Sequence, residues 1–151
     1  MQQLHFSKQI NAPREKVWRT LLDDATYRQW TSVFNPGGSF YKGDWSTGSK
    51  MLFIGPDPKT GIEGGMVSRI SENREPEYLS IEHVGMLVQG VEDTTSEEVK
   101  KWVPAFENYT LNEKDGGTEL LIDININEAM AEELINMWPE ALEKLKLLAE
   151  Q

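Results

Sequence analysis

The stretch NEAMAEELINMWPEALEKLKLLAEQ, residues 127–151, carries apolar side chains at the 3.6-residue period of an α-helix. Its charged residues, such as Glu132, Glu133 and Lys144, fall mostly on the opposite side. A helix of this length spans about 35 Å. Because the chain before it is typical of short strands, we predict a sheet covered by this one long helix. The apolar stripe consists of Met130, Leu134, Met137, Trp138, Ala141, Leu142, Leu145 and Leu148.

Pro139 interrupts the pattern of this helix directly after Trp138. A proline inside a helix removes one i to i−4 hydrogen bond and costs about 3 kcal/mol unless the loss is compensated. We therefore predict that the helix bends or restarts near this pair of residues.

The sequence pattern in the first third of the chain predicts one strand followed by two short helices. Leu4, Phe6 and Ile10 alternate with polar residues, which indicates a strand with one buried face. Pro13 is predicted in the first turn of the next helix, and Asp23 or Asp24 is predicted to cap the second. The apolar residues of the two helices are Val17, Trp18, Leu21 and Leu22, then Tyr27, Trp30 and Val33.

The middle of the chain predicts six further strands, joined by turns rich in Gly, Pro, Asn and Asp. We expect an antiparallel meander, since the connections are short. The long connection Gly90–Trp102 contains Thr95 and Glu98 at capping-box spacing, which predicts a helical turn within either a lid or a simple surface loop. The predicted strands span residues 39–42, 50–54, 62–70, 78–85, 105–113 and 118–126.

Length and composition predict one soluble domain over residues 1–151. The chain has a mass of 17.2 kDa, with 38% hydrophobic and 26% charged residues. No stretch approaches the roughly 20 apolar residues that cross a bilayer, so we expect no membrane span. The N-terminus lacks the pattern of a secretory signal, and a cytoplasmic location is the default expectation.

The ionisable residues exclude several kinds of site. The chain has no cysteine, which rules out disulfides and thiolate metal ligands. A net charge of −10 argues against a nucleic-acid partner, and it indicates either solvated surface or a basic protein partner. His5 and His83 are isolated and make no metal-ligand spacing, so no metal or other cofactor is predicted.

The predicted order of elements is that of a helix-grip fold, and short segments along the chain carry a family resemblance. These segments are Ile10-Asn11-Ala12-Pro13 with Val17-Trp18, Trp30 before Pro36-Gly37-Gly38, Gly64-Gly65-Met66-Val67 leading into Ile70, Glu75-Pro76-Glu77-Tyr78-Leu79, Glu107-Asn108-Tyr109-Thr110-Leu111, Gly117-Thr118-Glu119-Leu120, and Trp138 with Leu142 and Leu145. With them the chain resembles the START-like (SRPBCC) superfamily, and within it the family of activator of heat-shock-protein ATPase homologues.

The resemblance implies an α+β architecture: a curved antiparallel sheet of about seven strands, wrapped around the long C-terminal helix, with two short helices after the first strand. Such domains enclose a hydrophobic cavity between sheet and helix. Relatives bind lipids, sterols, polyketides or other apolar molecules, while some are cyclases or hydrolases and others are chaperone cofactors. Fold alone does not choose among these activities.

Within this architecture we predict which side chains border the cavity. Met130–Trp138 is the cavity-facing half of the helix, Ala141–Leu148 anchors it, and Pro139 serves either shape adjustment or gating. Substituting Trp138 by alanine should then alter ligand binding as well as stability. Each predicted residue is explained either by core packing or by ligand contact. The predicted ligand-binding residues are Trp30, Phe40, Phe53, Met66, Ile81, His83, Trp102, Phe106, Tyr109, Met130, Leu134, Met137 and Trp138.

The sequence contains no complete catalytic signature, so no catalytic residue is assigned. His83, Glu107 and Tyr109 are the polar residues that an enzyme could use inside the cavity. Arg69 could pair with Glu82 across the sheet or, inside the cavity, bind an anion. We predict binding of a small apolar or amphipathic molecule without catalysis. The alternatives are a chaperone cofactor or protein-interaction module, and a cyclase-type or hydrolase-type enzyme; an exposed sheet edge or helix face could support a homodimer.

Overall fold

An eight-stranded antiparallel sheet curves around one long C-terminal helix in the computed structural model, which describes all 151 residues. The strands are β1 (Gln2–Ile10), β2 (Phe40–Gly43), β3 (Lys50–Pro56), β4 (Glu63–Arg74), β5 (Tyr78–Val88), β6 (Val91–Asp93), β7 (Ala105–Lys114) and β8 (Gly117–Ile126). The helices are α1 (Arg14–Leu22), α2 (Asp24–Trp30), α3 (Glu97–Lys100) and α4 (Glu128–Ala149), and a 3₁₀ turn at Thr31–Val33 follows α2.

The strand order of the sheet is β1-β8-β7-β5-β4-β3-β2, so β1 and β2 form its edges. The long strand β5 pairs with β4 along one side. On its other side β5 pairs with β7 over Tyr78–His83 and with β6 over Met86–Val88. Consequently β5 lies in the middle of the sheet and is paired along both sides over most of its length.

The predicted α+β helix-grip class is confirmed, and the six strands predicted after the helices are all present. The sheet has eight strands rather than about seven, because a three-residue strand, β6, lies inside the Gly90–Trp102 connection. Val91 and Glu92 of this strand are both exposed. A strand without a buried face lacks the alternation that identifies strands in a sequence, so this one was not predicted.

Two predicted helix boundaries are wrong by one residue. Pro13 precedes α1 as its N-cap residue and does not lie in the first turn. The helical turn in the Gly90–Trp102 connection is capped by Ser96 rather than Thr95, since the Ser96 hydroxyl accepts a hydrogen bond from the backbone N–H of Val99 at 3.3 Å. Its neighbour Asp93 accepts from the backbone N–H of Ser96 and orders the segment before the helix.

The helix α4 runs without interruption through Pro139, so of the two predicted alternatives the restart is wrong and the bend stays a prediction. Pro139 and Ile135, whose carbonyl the missing N–H would have bonded, both lie on the exposed side of the helix. Water can therefore satisfy that carbonyl, which lowers the cost of the proline. The Asn127 side chain begins the helix by accepting a hydrogen bond from the backbone N–H of Ala129 at 2.9 Å.

The main core lies between the concave face of the sheet and the helices α1, α2 and α4. Trp138 is 4% exposed and contacts aromatic rings from several elements. Its ring centroid lies 4.9 Å from that of Phe34, 5.8 Å from Phe6, 5.9 Å from Trp30 and 6.3 Å from Tyr109. One turn further along α4, the side chains of Ala141, Leu142 and Leu145 are fully buried. The second half of α4 is thereby anchored to the sheet.

Gly65 allows β3 and β4 to approach closely. Its φ angle is +143°, and a Cβ atom at this position would overlap the carbonyl oxygen of Phe53 on the neighbouring strand. The adjacent Gly64 has no such constraint, because a Cβ there would meet its nearest atoms at 3.8 and 3.9 Å. The pair was predicted as a strand irregularity or close approach, and the close approach is confirmed at Gly65.

We expect Gly65→Ala to lower the free energy of unfolding by about 3 kcal/mol or more, because the new Cβ adds a steric clash to an unfavourable backbone conformation. Gly64→Ala is the matched control and should change it by no more than about 1 kcal/mol. Urea denaturation followed by tryptophan fluorescence measures both. Equal losses in the two variants would contradict the assigned role of Gly65.

Candidate functional site

A pocket of about 570 Å³ lies between the concave face of the sheet and the first half of α4. Of the 32 residues that line it, 22 are hydrophobic. The sheet side of the pocket is formed by side chains of β3, β4, β5 and β7, and the helix side by side chains of α2 and α4. Five of the chain's six methionines line this space: Met1, Met66, Met86, Met130 and Met137.

The structure brings most of the predicted ligand-binding residues together around this pocket. They are Trp30, Phe53, Met66, Ile81, His83, Trp102, Tyr109, Met130, Leu134, Met137 and Trp138. Trp102 and its neighbour Glu98 come from the Gly90–Trp102 connection, which thus reaches the pocket wall. Whether these side chains contact a ligand stays a prediction.

Phe40 and Phe106 do not line the pocket. Phe106 is followed in β7 by the pocket residue Glu107, and alternation along a strand turns neighbouring side chains to opposite faces. Phe40 packs against a separate cluster of Ile54, Val67 and Leu87, and its ring lies 5.1 Å from the guanidinium of Arg28. Alternation along the ten-residue strand β7 places Phe106 and Tyr109 on opposite faces, so only one of the two could line the pocket. In the four-residue strand β2, alternation could not decide the face of Phe40.

Several lining residues were not among those predicted. Tyr27 and Phe34 lie in or just after α2, and Trp45 lies in the turn between β2 and β3. Met86 lies beyond the predicted end of its strand, which continues to Val88. Only the assembled fold brings a turn residue such as Trp45 over the sheet, so no local pattern could identify it.

The first half of α4 is less buried than the second. Met130 is 54% exposed and Leu134 and Met137 are half-buried, whereas Ala141 and Leu145 are completely buried. These first-half side chains line the pocket. The exposure of α4 therefore changes near Pro139, although Trp138, predicted in the cavity-facing half, is also buried in the core. Whether the first half of the helix faces a ligand stays a prediction.

A chain of hydrogen bonds joins four polar side chains at the inner wall of the pocket. The Ser68 Oγ lies 2.7 Å from Nδ1 of His83, and Nε2 of His83 lies 3.1 Å from Oε1 of Glu107. The Tyr109 hydroxyl donates to Oε2 of the same carboxylate. The three polar residues that an enzyme could use, His83, Glu107 and Tyr109, thus converge in one place.

The order Ser68–His83–Glu107 does not make a hydrolase triad. Ser68 is 1% exposed and does not line the pocket, so its hydroxyl cannot reach a bound molecule. It lies behind His83 and orients the imidazole. His83, Glu107 and Tyr109 are the members of this chain of hydrogen bonds that line the pocket.

Arg69 lies outside the pocket and pairs with Glu82 on the opposite face of the sheet, with Nη2 2.8 Å from Oε1. The predicted pairing is confirmed, and the alternative role of Arg69 in binding an anion inside the cavity is wrong. No group of three or more His, Asp or Glu side chains is arranged to hold a metal ion. None of the α-helices combines the length and the apolarity needed to span a membrane.

Comparison with known protein families identifies the family of this chain. The family model described as Activator of Hsp90 ATPase homolog 1-like protein matches residues 11–150. The chain belongs to this family. The predicted START-like resemblance is therefore confirmed, and no curated protein matches the chain.

Solved structures share the fold of this Activator of Hsp90 ATPase homolog 1-like chain. Protein CV1439 from Chromobacterium violaceum is 21% identical, with a TM-score of 0.71, over 100% of this chain and 99% of that protein. Protein NE0264 from Nitrosomonas europaea is 17% identical, with a TM-score of 0.75, over 99% and 94%. CalU16 from Micromonospora echinospora is 19% identical, with a TM-score of 0.66, over 97% and 75%. Identities this low support the fold alone.

Burial and charge act in opposite directions on the carboxyl group of Glu107 in this family member. Burial by itself would raise its pKa, but the hydrogen bond and the charge of His83, with the Tyr109 hydroxyl, outweigh burial and hold the pKa below its ordinary value of 4.5. Burial also raises the pKa of Tyr109 well above 10.0, and the Glu107 charge adds to this. The site therefore combines an ionised carboxylate with a neutral phenol at neutral pH.

The indole N–H of Trp45 is buried and has no hydrogen-bond partner in the protein. An unpartnered buried donor costs about 1–3 kcal/mol. Trp45 packs against Tyr41 and Phe53, with centroid distances of 4.9 and 5.8 Å, so apolar contacts hold the ring in place.

We expect Glu107→Gln to flatten the acid side of the stability profile. A carboxyl group whose pKa is lower in the folded chain stabilises it above the unfolded pKa, and this contribution disappears as the pH falls through the folded pKa. The free energy of unfolding of the unaltered chain should therefore fall more steeply below about pH 4.5 than that of the variant. Urea titrations at a series of pH values measure both slopes. Glu132→Gln, on the exposed side of α4, controls for net charge; identical slopes for Glu107→Gln and the unaltered chain would contradict the prediction.

Proposed function

We propose that the chain binds a small apolar or amphipathic molecule in the pocket between the sheet and α4, with no catalysis assigned. The observation that carries the proposal is the pocket itself, about 570 Å³ with 22 hydrophobic residues among 32. Small-molecule sites typically enclose about 300–1,000 Å³ and combine apolar walls with a few convergent polar groups. The hydrogen-bonded side chains of His83, Glu107 and Tyr109 are such a group.

The way the apolar side chains are distributed supports the same proposal. Protein interiors normally fill their volume, because atoms that border an empty space lose dispersion contacts. In the anchored half of α4 this filling is achieved, with Ala141 and Leu145 fully buried. The first half instead leaves Met130 half-exposed over an apolar space, and a bound apolar molecule would restore the missing contacts.

The ligand contacts that we propose come from the predicted residues that line the pocket. Trp138 is a poor single test of them, because it also packs against Phe6 and Trp30 in the core. Removing a buried tryptophan side chain costs about 3–5 kcal/mol, so Trp138→Ala alters folding together with any binding. Met66 and Met86 are better positions, since they pair across β4 and β5 and both face the pocket.

We expect the neutral probe N-phenylnaphthylamine to bind at one saturable site, with a rise in its fluorescence. The double variant Met66→Trp/Met86→Trp narrows the pocket and should raise Kd by about ten-fold or more. Leu147→Trp is the control, because Leu147 is 57% exposed on the outer side of α4 and the added ring does not reach the pocket. Fluorescence titration gives the three Kd values. No saturable binding by the unaltered chain, in probe titrations and in native mass spectrometry of gently purified protein, would refute the proposed function.

A second candidate function, a chaperone cofactor or protein-interaction module, is favoured by the family match over residues 11–150. The family description names an activator of an Hsp90 ATPase, and the net charge of −10 suits a partner with a basic surface. A cytoplasmic location and a homodimer stay predictions from the sequence.

If the chain is a chaperone cofactor, it should co-elute with an Hsp90-class chaperone and increase the rate of ATP hydrolysis in proportion to added protein. A coupled ATPase assay measures the rate, and the heat-denatured chain is the control. An unchanged rate together with separate elution would eliminate this candidate and leave the pocket proposal intact.

A further inference from the structure

We propose that the molecule bound in this pocket is an organic cation, an apolar amine whose ammonium group lies beside Glu107. The proposal rests on the binding function proposed above and names the chemical class of the ligand. Three features of the pocket support it: the signs of the charges in its wall, the free acceptor positions on Glu107, and the aromatic rings nearby.

The wall of the pocket includes carboxylates but no lysine or arginine. Glu98, Glu107 and Glu133 line it, together with His83 and the exposed Met1, whose α-ammonium group is the one other charged group of the wall. An anionic ligand, such as a fatty acid or a phosphate ester, would therefore have only this terminal ammonium to pair with, against three carboxylates. Burying a charge without a partner is strongly unfavourable, whereas an ammonium would gain one.

Two basic side chains of the sheet, on β1 and β4, pair with carboxylates away from the pocket. Lys8 on β1 pairs with Glu143 of α4, beyond the pocket-lining half of the helix. Arg69 on β4 pairs with Glu82 on the outer face. The net charge of −10 further attracts cations toward the chain at long range.

The Glu107 carboxylate retains room for a donor from the ligand. An ionised carboxylate offers about four acceptor positions, and the bonds from His83 and Tyr109 occupy two of them. Its side chain keeps 22% of its surface exposed. Nδ1 of His83 lies 2.7 Å from the Ser68 hydroxyl, which holds the imidazole with Nε2 toward Glu107. An ammonium group at the open side of the carboxylate would form a charge-assisted hydrogen bond with it.

A cluster of aromatic rings lies beside His83, the hydrogen-bond partner of this carboxylate. The Phe53 ring centroid lies 6.2 Å from the His83 ring, and the rings of Trp45 and Tyr27 lie 5.8 and 6.3 Å from Phe53. Burial, and secondly the charge of Glu107, raise the pKa of Tyr27, so this phenol is neutral and close enough to sense the carboxylate. Faces of such rings attract cations within about 6 Å, and their edges and surfaces also bury the apolar part of an amine.

The test compares three ligands of similar shape and different charge: naphthylethylamine, naphthylethanol and naphthylacetic acid. Each displaces N-phenylnaphthylamine from the unaltered chain at neutral pH. We expect the amine to bind about ten-fold more tightly than the alcohol, and the acid to bind most weakly. Glu107→Gln should abolish the preference for the amine, measured as the ratio of the alcohol and amine Kd values within the same variant. Glu82→Gln makes the same change of charge on the outer face and should keep the preference.

The outcomes separate this proposal from the proposed function. If the probe and the alcohol bind but the acid matches or exceeds the amine, the pocket binds molecules and the cation proposal is overturned. An amine preference that Glu107→Gln leaves intact in a folded variant also overturns it. If Glu107→Gln does not fold, the order of the three ligands on the unaltered chain and on Glu82→Gln decides the question. If neither the probe nor any of the three ligands binds, the proposed function itself fails and the cation proposal with it.

Discussion

The burial of the second half of α4 against the concave face of the sheet is the contact on which the other features depend. Ala141, Leu142 and Leu145 are buried there, and Trp138 ends this anchored segment by packing against rings from β1, α2 and β7. Full burial of a large apolar side chain contributes about 1.5–3 kcal/mol to the free energy of folding, and these contacts hold the helix in one orientation on the sheet. The first half of α4 then projects over the sheet without filling the space beneath it, and the pocket is the consequence.

The four hydrogen-bonded polar side chains at the wall of this pocket cost free energy to bury, and packing alone does not require them. Buried carboxylates and imidazoles stabilise a fold only when each lone pair and N–H finds a partner, and an apolar replacement is often as stable. Here Ser68, His83, Glu107 and Tyr109 satisfy one another, but Glu107 keeps part of its surface open to the pocket. The open side of this carboxylate is the feature on which the proposed ligand contact rests.

The fold was predictable from the sequence to a large extent, because periodicity reports which side chains face a core. The 3.6-residue stripe of α4 and the alternation of β8 identified both layers, and Gly65 marked a close approach of strands. Periodicity does not report strands without a buried face, such as β6, or the face that Phe40 would occupy in a four-residue strand. Trp45 reached the pocket only through the turn that carries it. The contact between His83 and Glu107 depends on the register between β5 and β7. These two residues are 24 positions apart in the chain, and no local pattern contains that information.

The methionines of the pocket wall determine how this space responds to differences in ligand shape. Strand β5 is paired on both sides and offers a backbone that does not adapt, whereas Met66, Met86, Met130 and Met137 are unbranched and change rotamer at little cost. The pocket can thus remodel its outline around molecules of different contour while the position of its one deep carboxylate stays the same. If this pocket binds the organic cation that we propose, it should be tolerant of ligand shape and strict about ligand charge, a combination typical of proteins that recognise a chemical class rather than one compound.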